Sequence, residues 1–369
     1  MRSSIVMSDR PICIIIAAYN AAATIGRAVR SALAQQQAGE IIVVDDASTD
    51  GTADAARAED DHSGRLSIIE LENNGGPARA RNIALERSGA PYVCVLDSDD
   101  YLLPGRLERL LSQAPPDWDL LADDIVIVPK TLEHVRLELC DPPAPPCRVQ
   151  LDLATFVAAN ISHPTRPRAE LGFLKPIIRR SFLQEQGLEY DESMRLGEDY
   201  ALDVQALMAG ARFQLVSACG YVAIERGDSI SSRHAAADLE RIINFDERCI
   251  AAGRRLTSAE RRAFAAHRAA TQHKLDYQTV LDRKREWGLA SGLAALARMP
   301  RSHLYVLAQT LRARLPSALR HNRGANDRIR LLAGLPRSGV TCEHASIAAP
   351  DPHWLSGAYR NPAASDRAS

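Results

Sequence analysis

Acidic residues fall in two places where their spacing invites chemistry. Val93-Cys94-Val95-Leu96 is an apolar run with the composition of a buried strand, and it stops at Asp97-Ser98-Asp99-Asp100. Carboxylates packed this tightly repel one another unless a cation sits among them or water solvates them. Two carboxylates one residue apart, on a turn leaving a strand, can hold a hard divalent ion that also binds phosphate oxygens. The plain alternative is a solvated turn that caps the next helix. The second place is Gly197-Glu198-Asp199, which opens a helix running to about Ala209. The dipole favours negative charge at a helix start, and a carboxylate there can act as a general base or simply as an N-cap.

The elements that must position these acids follow from periodicity. Pro11 to Asn20 reads as a buried strand ending in a polar turn, and Glu40 to Asp46 as a second strand that ends in acids. Leu66 to Leu71 and Tyr92 to Leu96 read as two more. Between them lie helical stretches: Ala21 to Gln36 with Ile25, Val29 and Leu33 on one face, a stretch from about Ala53, and Ala78 to Arg87 after the turn Asn73-Asn74-Gly75-Gly76-Pro77. Alternating strands and helices predict a mostly parallel sheet with right-handed crossovers, and ligands of such sheets bind outside the carboxyl ends of the strands. Further on, Leu120 to Val128, Arg212 to Val216 and Gly220 to Glu225 read as strands, Leu171 to Ile178 as an extended segment, and the chain from about Leu239 as helical, up to an aperiodic tail after about Val340.

The net charge of −1 hides an asymmetry: residues 283–337 carry twelve Lys/Arg against two acids, so the catalytic-looking part is correspondingly acidic. Seven cysteines form no CxxC pair and no zinc-like spacing, which fits a reducing compartment. The first ten residues lack the apolar core of a signal peptide, and no run is long and apolar enough to span a bilayer.

Taken in order, Pro11 to Asn20, Ile41 to Thr52, Asn74 to Asn82 and Leu96 to Asp100 resemble the family 2 glycosyltransferases. Within that family the chain is similar to bacterial exopolysaccharide enzymes of the succinoglycan type. The resemblance covers roughly residues 11–235 and implies an α/β, Rossmann-like GT-A fold with a mostly parallel central sheet, followed by a helical C-terminal region. The expected divisions are an extension over 1–10, the transferase domain over 11–236, a basic helical region over 237–338, and a loosely ordered tail over 339–369. The implied activity is inverting, metal-dependent transfer of a hexose, glucose by the same resemblance, from a UDP-sugar to a lipid-linked or saccharide acceptor. By the same resemblance, Tyr19 stacks on the uracil and Asp46 or Asp45 accepts from its N3–H. Asp97 meets the ribose hydroxyls, and Asp99 holds Mn²⁺ or Mg²⁺ bridging the diphosphate, with Asp97 beside it. Asp199 is the base that takes the acceptor proton, and Glu198 positions it.

Other residues are placed more loosely. Arg79 and Arg81 suit the base edge or the diphosphate, and their spacing of two lets one of them reach the ligand. The polar stretch Arg226 to His234 can close over the diphosphate; the resemblance loosely makes His234 a further metal ligand, the alternative being a plain surface histidine. Residues 163–178 are placed on the acceptor side, where Arg166, Arg168 and Lys175 either meet a lipid-linked diphosphate or, the reading preferred here, belong to a solvated loop. The basic C-terminal third either lies on the anionic cytoplasmic leaflet, making the protein cytoplasmic and peripheral, or packs on the acidic catalytic domain. Sparse aromatics and the lack of a nucleic-acid motif argue against nucleic acid. The chain has neither the Gln-x-x-Arg-Trp motif nor the transmembrane helices of the family's large synthases, so processive polymerisation is not expected. A nucleotidyltransferase would carry a Gly-rich basic loop where Ala17 to Asn20 stands. A nucleotide-sugar binder without activity would not need Asp97, Asp99 and Asp199 together.

Overall fold

The structure is a computed structural model. It describes residues 10–139, 147–162, 169–225, 235–252, 255–314, 328–333 and 340–342.

The apolar runs form the sheet. Strands β1 (Ile12–Ala18), β2 (Ala38–Asp45), β3 (Leu66–Glu70) and β4 (Tyr92–Val95) alternate with helices α1 (Ile25–Leu33), α2 (Thr52–Arg57) and α3 (Pro77–Arg87). They pair in parallel in the order β3-β2-β1-β4, so every strand end points the same way. β1 is buried on both faces: Ile12, Ile14, Ile15 and Ile16 are fully enclosed, each stabilising the fold by roughly 1.5–3 kcal/mol. α1 packs its predicted stripe of Ile25, Val29 and Leu33 inward, together with Ala28 and Ala32.

The second half of the sheet is mixed. β5 (Tyr101–Leu102), α4 (Arg106–Ser112), β6 (Leu120–Pro129), β7 (Leu137–Leu139), β8 (Arg148–Leu151), α5 (Leu153–Ala159), β9 (Ile177–Arg179), α6 (Arg180–Gln186), α7 (Glu198–Met208) and β10 (Phe213–Glu225) follow in order. β9 runs antiparallel between β4 and β6, while β6 and β10 are parallel. The two short strands expected over 212–216 and 220–225 are one strand, β10, which stays in register with β6 through irregularities around Cys219. Its first half also pairs with β8 and its second half with β5, so one long strand serves two edges. Gly220 lies where β10 crosses α4: a Cβ there would come within 2.7 Å of Arg106 Cβ and Cγ, so only glycine fits.

The C-terminal helices are α8 (Ala236–Ala251), α9 (Ser258–Ala297) and α10 (His303–Arg314). α9 starts with a reciprocal cap between Thr257 and Glu260 and packs on α5, α8 and α10. Two short strands also fall in the stretches expected to be helical over 237–338 and loose over 339–369. β11 (Arg330–Leu331) adds to β6, and β12 (Val340–Cys342) pairs with β7. The chain therefore returns to the transferase sheet, with Leu331, Leu332 and Ala333 buried against it. The remainder of that tail lies outside the described residues, as do the loop predicted over 141–146 and most of that predicted over 163–169.

Candidate active site

The two acidic clusters, far apart in sequence, meet at the carboxyl ends of the parallel strands. β4 delivers Asp97 through Leu96. α7 begins opposite, where Gly197 in a left-handed conformation (φ 80°) turns the chain so that Glu198 and Asp199 form its first turn. Arg81, on the inward face of α3, lies between them. Its Nη1 donates to Glu198 Oε1 and Asp199 Oδ1, both at 2.8 Å, and its Nη2 donates to Asp97 Oδ1 at 2.9 Å. Lys175 Nζ closes the ring at 2.8 Å from Asp97 Oδ2 and 2.6 Å from Asp199 Oδ2. Three carboxylates and two cations thus satisfy one another in a partly desolvated cleft, the arrangement in which charged hydrogen bonds are strongest.

Electrostatics follow the geometry. Burial alone would raise the Asp97 carboxyl, but Lys175 and Arg81 outweigh it and hold that group below its ordinary range. Glu198 is pushed up by burial despite Arg81. Lys175 and Arg81 both resist the loss of a proton, because the surrounding carboxylates overcome the cost of burying them. Tyr190 lies under the Arg81 guanidinium, 5.3 Å from ring centroid to Cζ. Asn82, the next residue of α3, fixes the Tyr190 backbone by bonds to its N–H and its carbonyl.

The turn after Asp97 is held separately. Tyr221, from β10, accepts from the Asp97 N–H at 3.1 Å and donates to Asp100 Oδ2 at 2.9 Å, while Ile224 N–H donates to Asp100 Oδ1. Asp100 is buried and serves the turn; Asp99, partly exposed at the rim, has its carbonyl held by Arg27. Arg106 pairs with Asp123 and also donates to the Lys175 carbonyl at 2.8 Å, which fixes where Lys175 starts.

The remaining predicted residues divide. Tyr19 is exposed at the end of β1. Asp45 and Asp46 are buried and both hold turns. Asp45 accepts from Ser48 N–H; Asp46 accepts from Gly75 and Gly76 N–H, at 2.7 Å each. The carboxylate assigned to the uracil thus has both oxygens engaged by the glycine turn, and both acids orient backbone. Arg81, assigned to the base edge or the diphosphate, has its guanidinium on Glu198, Asp199 and Asp97 in this structure. Arg79 faces outward and lies back over Gly75. Lys175, assigned to the acceptor loop, belongs to the central network. His234, Arg166, Arg168, Arg226, Ser229, Ser231 and Arg233 lie outside the described residues.

Three participants carried no recognisable signal: Tyr190, Tyr221 and Asp203. Asp203 sits one turn beyond Asp199 on α7, is buried, and leaves Oδ2 without a partner. It lines a small cavity behind Asp199 with Val95, Leu174, Pro176 and Leu202.

Among the described residues, no group of three or more His, Cys, Asp or Glu is arranged to hold a metal by itself. Asp99 and Asp97 supply hard oxygen donors, and one or two carboxylates suffice for a divalent ion when phosphate oxygens complete its shell. In this structure both Asp97 oxygens meet Arg81 and Lys175, so an ion held there would take the place of one of those contacts.

The mostly parallel sheet, with acids at its strand ends facing a helix-borne carboxylate pair, has the GT-A fold. In agreement, S. aureus TarS 1–349 in complex with UDP-GlcNAc shares the fold, with a TM-score of 0.51 at 17% sequence identity over 80% of this chain and 92% of that one. A profile described as "Glycosyl transferase family 2" matches residues 13–134. "Succinoglycan biosynthesis protein ExoU" of Rhizobium meliloti (strain 1021) is 46% identical over 277 residues, 75% of this chain and 80% of that protein. The Escherichia coli "UDP-Glc:alpha-D-GlcNAc-diphosphoundecaprenol beta-1,3-glucosyltransferase WfaP" is 46% identical over 101 residues, 27% of this chain and 39% of that protein. The chain belongs to glycosyl transferase family 2.

Proposed function

We propose that the protein is an inverting hexosyltransferase of exopolysaccharide biosynthesis, moving glucose from UDP-glucose to a lipid-linked oligosaccharide. The observation that carries this reading is the meeting of Asp97 with Glu198 and Asp199 through Arg81 and Lys175. The similarity to WfaP, a glucosyltransferase from UDP-Glc to a diphosphoundecaprenol-linked sugar, supports the donor and a lipid-linked acceptor, and the similarity to ExoU supports the pathway.

The residues divide the reaction. Tyr19 offers a face to the base, and Asp97 an acceptor to the ribose hydroxyls. Asp99, with Asp97, would hold Mn²⁺ or Mg²⁺, which when bound offsets the charge of the departing nucleoside diphosphate. Asp199 takes the proton from the acceptor hydroxyl as that oxygen attacks C1 and the C1–O bond to the diphosphate breaks, inverting the anomeric carbon. Arg81 and Lys175 each occupy one site on an Asp199 oxygen. A carboxylate has about four lone-pair sites, so room remains for the acceptor hydroxyl. Glu198, tied to the same guanidinium, sets the angle of the helix start.

The test is transfer from radiolabelled UDP-glucose, with Mn²⁺, to lipid-linked oligosaccharides extracted from membranes. Asp199→Asn is expected to lower turnover by about 10²–10⁴-fold while UDP binding persists. Transfer at the wild-type rate by that variant would remove Asp199 as the base. Failure of the wild type to consume any of a panel of UDP-sugars would remove the reading itself.

A further inference from the structure

Seven large apolar side chains are exposed in the described residues, and six of them lie between 287 and 311: Trp287, Leu289, Leu293, Leu304, Leu307 and Leu311, each more than half exposed. A concentration of this kind marks an interaction surface. Gly288 creates half of it. Its φ of 80° and ψ of 178° break α9 in a region of backbone space that is essentially reserved for glycine. The chain folds back so that Gly292 packs on Val280 and Lys284, leaving Trp287 and Leu289 at the reversal. α10 supplies the other half. Its inner side is anchored on α9: Val306 is buried, Tyr305 stacks on His273, and the preceding Ser302 is bonded to His273 and Asp276. At 3.6 residues per turn, Leu304, Leu307 and Leu311 fall within a stripe of about 60° on the opposite side.

The same stretch is cationic. Residues 283–314 contain seven Lys/Arg and one acid, Glu286. Arg283, Lys284, Arg285, Arg298, Arg301 and Arg314 are exposed.

We propose that residues 283–314 lie flat on an anionic lipid bilayer, with Trp287 and the leucines at the boundary of headgroups and acyl chains and the basic side chains against lipid phosphates. Aromatic and leucine side chains interleaved with arginine have the chemistry of an interfacial helix, and each basic residue near an anionic leaflet adds to binding. Among the described residues no helix is long and apolar enough to cross a membrane, so this surface lies on the bilayer. A second copy of the chain would set seven cations against seven, which like-charge repulsion opposes. A nucleic acid would engage the arginines but gain nothing from the leucines.

The test is flotation of the full chain with vesicles of phosphatidylglycerol and phosphatidylethanolamine, against vesicles of phosphatidylcholine. The wild type should float with the anionic vesicles, less so at high salt, with a blue shift in tryptophan emission that Trp287→Phe removes. Replacing Arg283, Lys284 and Arg285 by Gln should weaken binding by about 100-fold. Replacing Leu304, Leu307 and Leu311 by Gln should weaken it by at least about tenfold. All six positions are exposed, so thermal unfolding should be unchanged, which separates lost binding from lost folding. Equal flotation with both vesicle types, or wild-type binding by both triple variants, overturns the proposal. So does self-association in light scattering that the leucine variant abolishes while no vesicle binds. Flotation reads binding without chemistry, so this proposal and the one for sugar transfer fail separately.

Discussion

Replacing Arg81 with methionine removes the centre of the carboxylate network while keeping much of the side-chain volume. The guanidinium makes three charged hydrogen bonds, at 2.8, 2.8 and 2.9 Å, worth roughly 1.5–3 kcal/mol each when made. The sum overstates the loss, because Lys175 still holds Asp97 and Asp199, and the Asp97 side chain is 33% exposed and can recruit water. A net cost of about 4 kcal/mol is expected, within the range for removing one partner of a buried pair. That corresponds to a fall in Tm of about 10 °C. Arg81→Lys should recover less than half of it, since an ammonium cannot span three carboxylates with the geometry of a fork. The sign of the pH dependence is fixed by Asp97. Its folded-state value is depressed, against burial, by Lys175 and Arg81. Its contribution is therefore present above the unfolded value of about 3.9 and lost as pH falls through the folded value. The gap between wild type and Arg81→Met should narrow in acid. Thermal melts of the three proteins from neutral to acid pH make the measurement. A methionine variant melting within about 2 °C of wild type at pH 7 would refute the network as a source of stability.

Four further outcomes are expected. Asp46→Asn turns one acceptor of the Gly75 and Gly76 N–H groups into a donor and should cost about 2 kcal/mol in urea unfolding; a neutral result would count against Asp46 holding the glycine turn. Tyr221→Phe removes the hydroxyl shared by the Asp97 N–H and Asp100, with an expected loss of about 1–3 kcal/mol by thermal melts and a fall in transfer; an unchanged melt counts against the turn being held from β10. Asp203 is raised well above the ordinary carboxylate range by burial and then by the charge of Asp199, so its contribution is full below the unfolded value of about 3.9 and declines as pH rises towards the folded one. Asp203→Asn mimics the protonated form and should gain on wild type across that window by up to about 1.4 kcal/mol per pH unit; parallel stability curves would contradict it. Chelation with EDTA should abolish transfer and Mn²⁺ or Mg²⁺ restore it, with Asp99→Asn needing at least about tenfold more metal; full activity in EDTA would exclude the metal.

Much of this architecture was written locally. The apolar runs of β1, β2 and β4 are buried on both faces and so carry no alternation, which made them legible as interior parallel strands. The stripe of α1 gave its inward face, and the switch from apolar to acidic residues at Asp45 and Asp97 gave the strand ends. The limits were local too. Tyr221 reads as one more core residue of a strand, and nothing near it in the chain says that its hydroxyl holds the turn after β4. Asp46 sits beside Asp45 at a strand end, and only the return of Gly75 and Gly76 reveals that its carboxylate is occupied. The helical pattern after residue 239 was legible, but β11 and β12 are too short to carry a period, and their place is set by the edges they cover.

The sequence by itself determined the acids, their order and the elements that carry them, because periodicity and turn chemistry act over a few residues. The tertiary structure decided which acids meet and through which cations. Arg81 and Glu198 are 117 positions apart, and their contact depends on how α3, β4, β9 and α7 pack around one cleft. Charges that looked like separate ligand contacts along the chain are driven together by the cost of burying any of them alone.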